Sequence, residues 1–327
     1  LEAYSVDSVG NQSPTTATWN IYIDREIIYV APAGSDRGSG TRESPFRSLG
    51  RAVEYARQSD RETIFLATGV YEISSPLRSS EALAIQGRFE PETWRPGSSG
   101  ETLVIPSEDF VGEALVVSYR GPVTMSRLAL SSSENFERPL LLLDDVSTSL
   151  DSVALSSAGG TAVEARLGTL AFREVTLEQS GTSSEAVVLR GTTATIDGSV
   201  FRAGSFGSQR AIAIDMRDAA SLTVNASRIE AYGLSRATAV SAANSSLEVA
   251  GSTLRVGSSR GNAQAISARD GGVLLETSVL QADEQTQVPW ALWPVGGKSM
   301  FGGAGSSEPP STTSPTGSRP EASRGSL

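Results

Sequence analysis

Seven eight-residue segments share one pattern: VTMSRLAL, TSLDSVAL, LAFREVTL, ATIDGSVF, LTVNASRI, LEVAGSTL and VLLETSVL. They begin at residues 123, 148, 170, 194, 222, 247 and 273, so the spacings are 25, 22, 24, 28, 25 and 26 residues. Each reads apolar, any, apolar, two mostly polar residues, then Leu, Val or Ser, any, apolar. Apolar residues at alternate positions over short runs are the signature of strands with one buried face. A second run precedes each eight, as in ALVVSY at Ala114, AVVLRGT at Ala186 and AISARDG at Ala265. Its opening apolar residue is Val116, Leu141, Val163, Val187, Val240 or Ile266, and the eight starts seven positions later. Counted from Ile212 the interval is ten, which implies a local insertion. Between the runs lie corner residues such as Gly121, Gly191, Asn244 and Gly271.

A unit of about 25 residues with two or three short strands cannot bury its own apolar face, but stacked units can. The spacing is too long for a hexapeptide solenoid and too short for a propeller blade, and the leucine-rich signature is missing. The fold class expected is all-β, a right-handed parallel β-helix with three faces. The sixth position of the eights reads Leu128, Val153, Val175, Ser199, Ser227, Ser252, Ser278. Four serines one strand spacing apart predict a buried ladder whose hydroxyls bond one another.

Composition narrows the chemistry. The 327 residues contain no Cys and no His. Disulfides, thiol nucleophiles, His-based triads and Cys/His metal sites are therefore excluded. Lack of cysteine fits the exterior or envelope of a bacterium. The net charge of −10 argues against nucleic acid as a partner. No apolar run reaches 18 residues, so no membrane span is expected. The chain starts without Met, as a piece of a longer multidomain protein would, and a monomer is expected within it.

Along the chain, residues 1–25 read as two strands around Gly10–Asn11. YSVDSVGNQSP there resembles the last hairpin of bacterial immunoglobulin-like modules, including the chitobiase C-terminal type. Residues 26–301 are assigned to the β-helix. Its entry segment carries Tyr29-Val30, Gly34-Ser35-Asp36, Gly40-Thr41, Ser44-Pro45-Phe46, Ala52 and a strand-turn from Thr63 to Tyr71 with Gly69. These pieces resemble the entry of the pectin-lyase-like right-handed β-helices, in particular the DUF1565 type. Arg61-Glu62-Thr63-Ile64 departs from the GDTI usual in that family. Leu49, Ala52, Val53 and Ala56 fall on one helix face. With Ser48 as N-cap, they predict a short helix plugging the open end of the solenoid. Trp94 is read as folded over the solenoid, and Trp290 and Trp293 as an end cover. Residues 302–327, rich in Gly, Ser, Pro and Thr, read as a disordered tail.

The third position after each opening apolar residue points outward. Counted so, the file reads Tyr119, Asp144, Arg166, Arg190, Asp215, Ala243, Arg269. In the pectin-lyase-like family such a face is where acidic polysaccharide lies, with carboxylate-bound calcium and an Arg or Lys base in its lyases. That resemblance makes Asp144, Asp145, Arg166, Arg190 and Asp215 the candidate substrate-binding residues, without assigning a catalytic one. Asp144, Asp145 and Asp151 suit calcium, and no other cofactor is called for. The sole lysine, Lys298, lies outside the repeat. Alternating charges on a solvated ladder need no ligand at all. Two functions stand: an exported bacterial surface module that contacts glycan or is structural or adhesive, without turnover, and a uronan lyase.

Overall fold

The computed structural model describes residues 26–59, 61–97, 100–119, 121–205 and 207–282, and the backbone of the short strands Glu2–Ala3, Ala17–Thr18, Val288–Val295 and Ser299–Phe301. The two N-terminal strands pair antiparallel. The rest of the hairpin expected in residues 1–25, the side chains of Trp290 and Trp293, and the tail 302–327 lie outside the described residues.

The chain from Ile27 is a parallel β-helix. Three parallel sheets of 11, 9 and 9 strands run along it, and successive strands in each sheet belong to successive turns. The first sheet starts with Ile27–Val30 and Thr63–Ala67 and includes Val123–Ser126, Thr193–Asp197 and Gly272–Glu276. The second contains Ala129–Ser132, Val200–Ala203 and Arg228–Gly233. The third contains Val116–Tyr119, Leu141–Asp144, Val163–Arg166, Ser183–Arg190, Arg210–Arg217, Arg236–Ala243 and Asn262–Arg269. Each repeated eight is thus a corner rather than one strand. In VTMSRLAL the first four residues lie in the first sheet, Arg127 and Leu128 turn, and Ala129 opens the second. The turn is made by a residue of positive φ at every rung, from Arg127 through Ser152, Glu174, Gly198, Ala226 and Gly251 to Thr277.

The serine column is buried, with Ser199, Ser227, Ser252 and Ser278 at most 5 % exposed. Its bonding differs from the ladder expected. Each hydroxyl donates to the carbonyl two residues back, Asp197, Asn225, Ala250 or Glu276, at 2.6–2.8 Å. Its oxygen accepts a backbone N–H from the previous rung: Val175 to Ser199 at 3.0 Å, Ser199 to Ser227 and Ser227 to Ser252 at 3.1 Å, Ser252 to Ser278 at 3.3 Å. The hydroxyls splice into the backbone ladder where the turn takes an N–H out of line with its carbonyl.

The N-terminal end is capped as the helical spacing predicts. Helix α1 (Leu49–Ser59) buries Leu49, Ala52, Val53 and Ala56. Ser48 Oγ accepts from the Arg51 N–H at 3.3 Å, and Asp36 Oδ1 accepts from the N–H groups of Arg47 and Ser48 at 3.0 and 2.8 Å. Phe46, 1 % exposed, seals the loop, and Gly40, at φ 70°, leaves room for its ring. On the outer face of the first sheet, Tyr29, Phe65 and Phe89 form an apolar cluster with Trp94, separate from the main core. Trp94 packs edge-on against Tyr29 at 4.7 Å, so it lies over the solenoid as read from the sequence.

Candidate functional site

The third sheet changes character along the molecule. Its strands are 4 residues long at Val116–Tyr119, Leu141–Asp144 and Val163–Arg166, and 8 residues long at Arg210–Arg217, Arg236–Ala243 and Asn262–Arg269. In the long strands the pairing skips one residue per strand: Glu185 pairs with Ile212 and Val187 with Ile214, but Ala186 and Ala213 are passed over, and likewise Ala239 and Ala265. At each skip two consecutive residues turn inward, as in Ala213–Ile214, Ala239–Val240 and Ala265–Ile266, all at most 1 % exposed. These kinks keep the register, because both strands skip the same position and neither gains a residue. Repeated in register, they fold the sheet's outer face into a groove of about 280 Å³.

The groove has two walls and a floor, each a column of residues. One wall is Arg210, Arg236 and, in register, Asn262. The floor has Ile212, Thr238 and Gln264 in one column and Asp215, Ser241 and Ser267 in the next. The other wall carries Arg217, then Ala243 in register with Arg269. Four guanidiniums thus line the groove against one lining carboxylate, Asp215, in a chain of net charge −10.

Two of those arginines are engaged. Arg217 reaches Glu185 Oε1 and Oε2 at 3.2 and 3.3 Å and is ion-paired with Asp215, which is 3 % exposed. Burial works most strongly against the Arg217 charge, but the bond to Asp215 and the charges of Asp215, Glu185 and Asp218 together outweigh it and hold it above the usual value. Arg210 lies 3.5 Å from Glu185. Arg236 and Arg269 are exposed and have no ion pair among the described residues. Gln264 Oε1 is buried on the floor without a hydrogen-bond partner among the described residues.

The residues picked from sequence are distributed differently. Asp144, Arg166 and Arg190 do share one outward column. Asp215 does not: Arg190 pairs with Arg217, and Asp215 stands in the neighbouring column beside Val188. Counting from Ile212 misled because Ile212 is a floor residue outside the core, and Ile214 is the true opening residue. The insertion is real but is a single residue, at the corner where Asp218 and Ala219 both have positive φ. Arg166 bonds Glu164 at 2.9 Å, which raises its pKa, and Arg190 lies 3.9 Å from both Glu164 and Asp218. Asp145 is an exposed corner residue at φ 54° whose N–H bonds the Arg166 carbonyl. Asp151 lies in the first sheet and accepts from Ser152 Oγ at 2.8 Å. It therefore does not join Asp144 and Asp145, and no three acidic groups gather to hold a metal among the described residues. Sequence reasoning missed Arg217, Arg236, Thr238, Gln264 and the groove itself. A partial signal was the alanine before the opening residue at Ala186, Ala213, Ala239 and Ala265, which Ala162 also shows before a short strand.

No family model matches the chain, and no curated protein does. Among solved structures a rhamnogalacturonan lyase aligns over 85 % of this chain and 87 % of its own, at 9 % identity and a TM-score of 0.42. Likeness at that level bears on neither a reaction nor its residues. The register adds one local fact: the backbone at Trp290 pairs with Gln264 and at Trp293 with Ser267.

Proposed function

We propose that the protein is a carbohydrate-contacting module that binds an acidic polysaccharide in the third-sheet groove without turning it over. The observation that carries this is the groove lining: four arginines over a floor of hydroxyl and amide side chains, on a strongly acidic chain. Guanidiniums bond carboxylates through paired N–H donors, and small polar floor residues match sugar hydroxyls. The resemblance of the entry segment to the pectin-lyase-like β-helices, DUF1565 type, supports the same ligand class. The lack of cysteine and the immunoglobulin-like remnant support an exported bacterial surface protein, with this module one monomeric part of a longer chain.

A uronan lyase with Asp-bound calcium and an arginine base is the other reading of these charges. A base must lose its proton, whereas Glu164 and Asp215 stabilise the charged forms of Arg166 and Arg217. Asp144, Asp145 and Asp151 do not converge. The binding reading is therefore preferred. Calorimetric titration with polygalacturonate, alongside a neutral galactan, tests it. Heat is expected with the polyuronate only, weakening as salt screens the charges, and no unsaturated sugar should appear by ultraviolet absorbance. Absence of heat with polygalacturonate sinks the binding reading, and absorbance growth in its place restores the lyase.

A further inference from the structure

We infer that the groove holds two successive acidic units of the glycan, one on each wall, through Arg236 and Arg269. This rests on the binding reading above and narrows it to a ligand class: a chain whose neighbouring acidic groups point to opposite sides.

The argument begins with which guanidiniums are available. Glu185 and Asp215 already neutralise Arg217, and Glu185 also faces Arg210. A ligand carboxylate arriving there competes with carboxylates tethered in place. Arg236 and Arg269 line the same groove with no ion pair among the described residues. They are the two positions where a ligand anion adds a partner rather than exchanging one.

Their placement alternates. In the Arg236–Ala243 rung the charge stands on one wall, and the opposite wall ends in the methyl of Ala243. In the next rung Asn262 is the neutral residue and Arg269 the charged one, on the other wall. Successive rungs are about 4.8 Å apart, close to the rise of one sugar along an extended glycan. A chain lying along the solenoid axis with its acid groups to alternate sides would meet Arg236 at one unit and Arg269 at the next. A chain with all its acid groups on one side would meet only one of them. Between the two arginines the floor offers Thr238, Ser241 and Ser267. A volume of about 280 Å³ lies just below the usual range for small-ligand sites, which suits a short stretch of chain rather than a long one.

The test is calorimetric titration of polygalacturonate, digalacturonate and monogalacturonate into the full chain and into Arg236→Ala, Arg269→Ala, the double variant, and Arg173→Ala as an exposed control on the first sheet. Both groove arginines are exposed, and circular dichroism melts check that the variants fold. Each single groove variant should weaken digalacturonate about tenfold or more, the loss expected for a charge-assisted hydrogen bond, down to the level of monogalacturonate. The control should bind as the wild type does. Wild-type binding of polygalacturonate that survives the double variant overturns the inference and leaves the binding reading intact, with its site elsewhere. No binding by the wild type overturns both.

Discussion

The turns before residue 180 and those after residue 182 solve the same packing problem in two ways. In the earlier turns the third-sheet strands are short and straight. The residue before each opening residue is Leu115, Leu140 or Ala162, fully buried. The corner between first and second sheets is filled by Leu128, Val153 and Val175. In the later turns the third-sheet strands double in length and kink, the residue before the opening one is always alanine, and the corner is serine. A straight strand leaves space for a leucine. Two neighbours are buried at this point in both halves, Leu140 with Leu141 and Ala239 with Val240 among them, but in the later turns the first of the two is always a methyl. The lesson is that one solenoid cross-section tolerates two cores, and that the grooved rungs all carry alanine before the opening residue, although Ala162 shows that alanine alone does not bend a strand.

The largest effects come from exchanging the two solutions. Leu140→Ala, in the straight half, should cost about 2–5 kcal/mol because it leaves a cavity. Ala239→Leu, in the kinked half, should cost about 1–3 kcal/mol through overpacking, and should also weaken polyuronate binding by straightening the groove. Urea midpoints and titration on the two variants separate these outcomes. Equal costs and unchanged binding would erase the distinction between the halves.

Next is the corner column. Ser227→Val with Ser252→Val deprives the N–H groups of Ser199 and Ser227 of their acceptors, for a loss of about 1–3 kcal/mol. If thermal unfolding of the double variant matches the wild type, the hydroxyls are not part of the ladder. The smallest effect is expected at the surface of the straight half. Arg78 and Glu113 form two bonds of 2.5 and 2.6 Å, and the hydrogen bond to Arg78 holds the Glu113 carboxyl below its ordinary value. A lowered folded-state value means the contribution is present above the ordinary carboxylate range and disappears as pH falls through the Glu113 value. Both side chains are more than a third exposed, so solvent screening limits it to about 0–1 kcal/mol. Arg78→Ala should barely shift the midpoint at neutral pH, and not at all once Glu113 is protonated.

Much of this was legible in the sequence, for identifiable reasons. The capping helix was readable because Leu49, Ala52, Val53 and Ala56 follow the helical period and nothing else competes for them. The corner column was readable because every rung has the same length between its first two sheets. Its hydrogen bonds were not, since they depend on where the turn aims each N–H. The outward face of the third sheet was the hardest part. Strand alternation fails at the kink, and Ile212, an apolar residue on the groove floor, looks like the start of a core strand. That moved Asp215 into the wrong column and hid Arg217. The groove follows from the bend, and the recurring alanine is an incomplete trace of it, since Ala162 holds the same place before a short strand.

The most direct test of the account is amide hydrogen exchange on the full chain with and without polygalacturonate. Added protection is predicted in Arg210–Arg217, Arg236–Ala243 and Asn262–Arg269, with Val116–Tyr119, Leu141–Asp144 and Val163–Arg166 unchanged. Protection centred on the straight strands around Asp144 and Arg166 would contradict it, and would return the ligand to the column first read from the sequence.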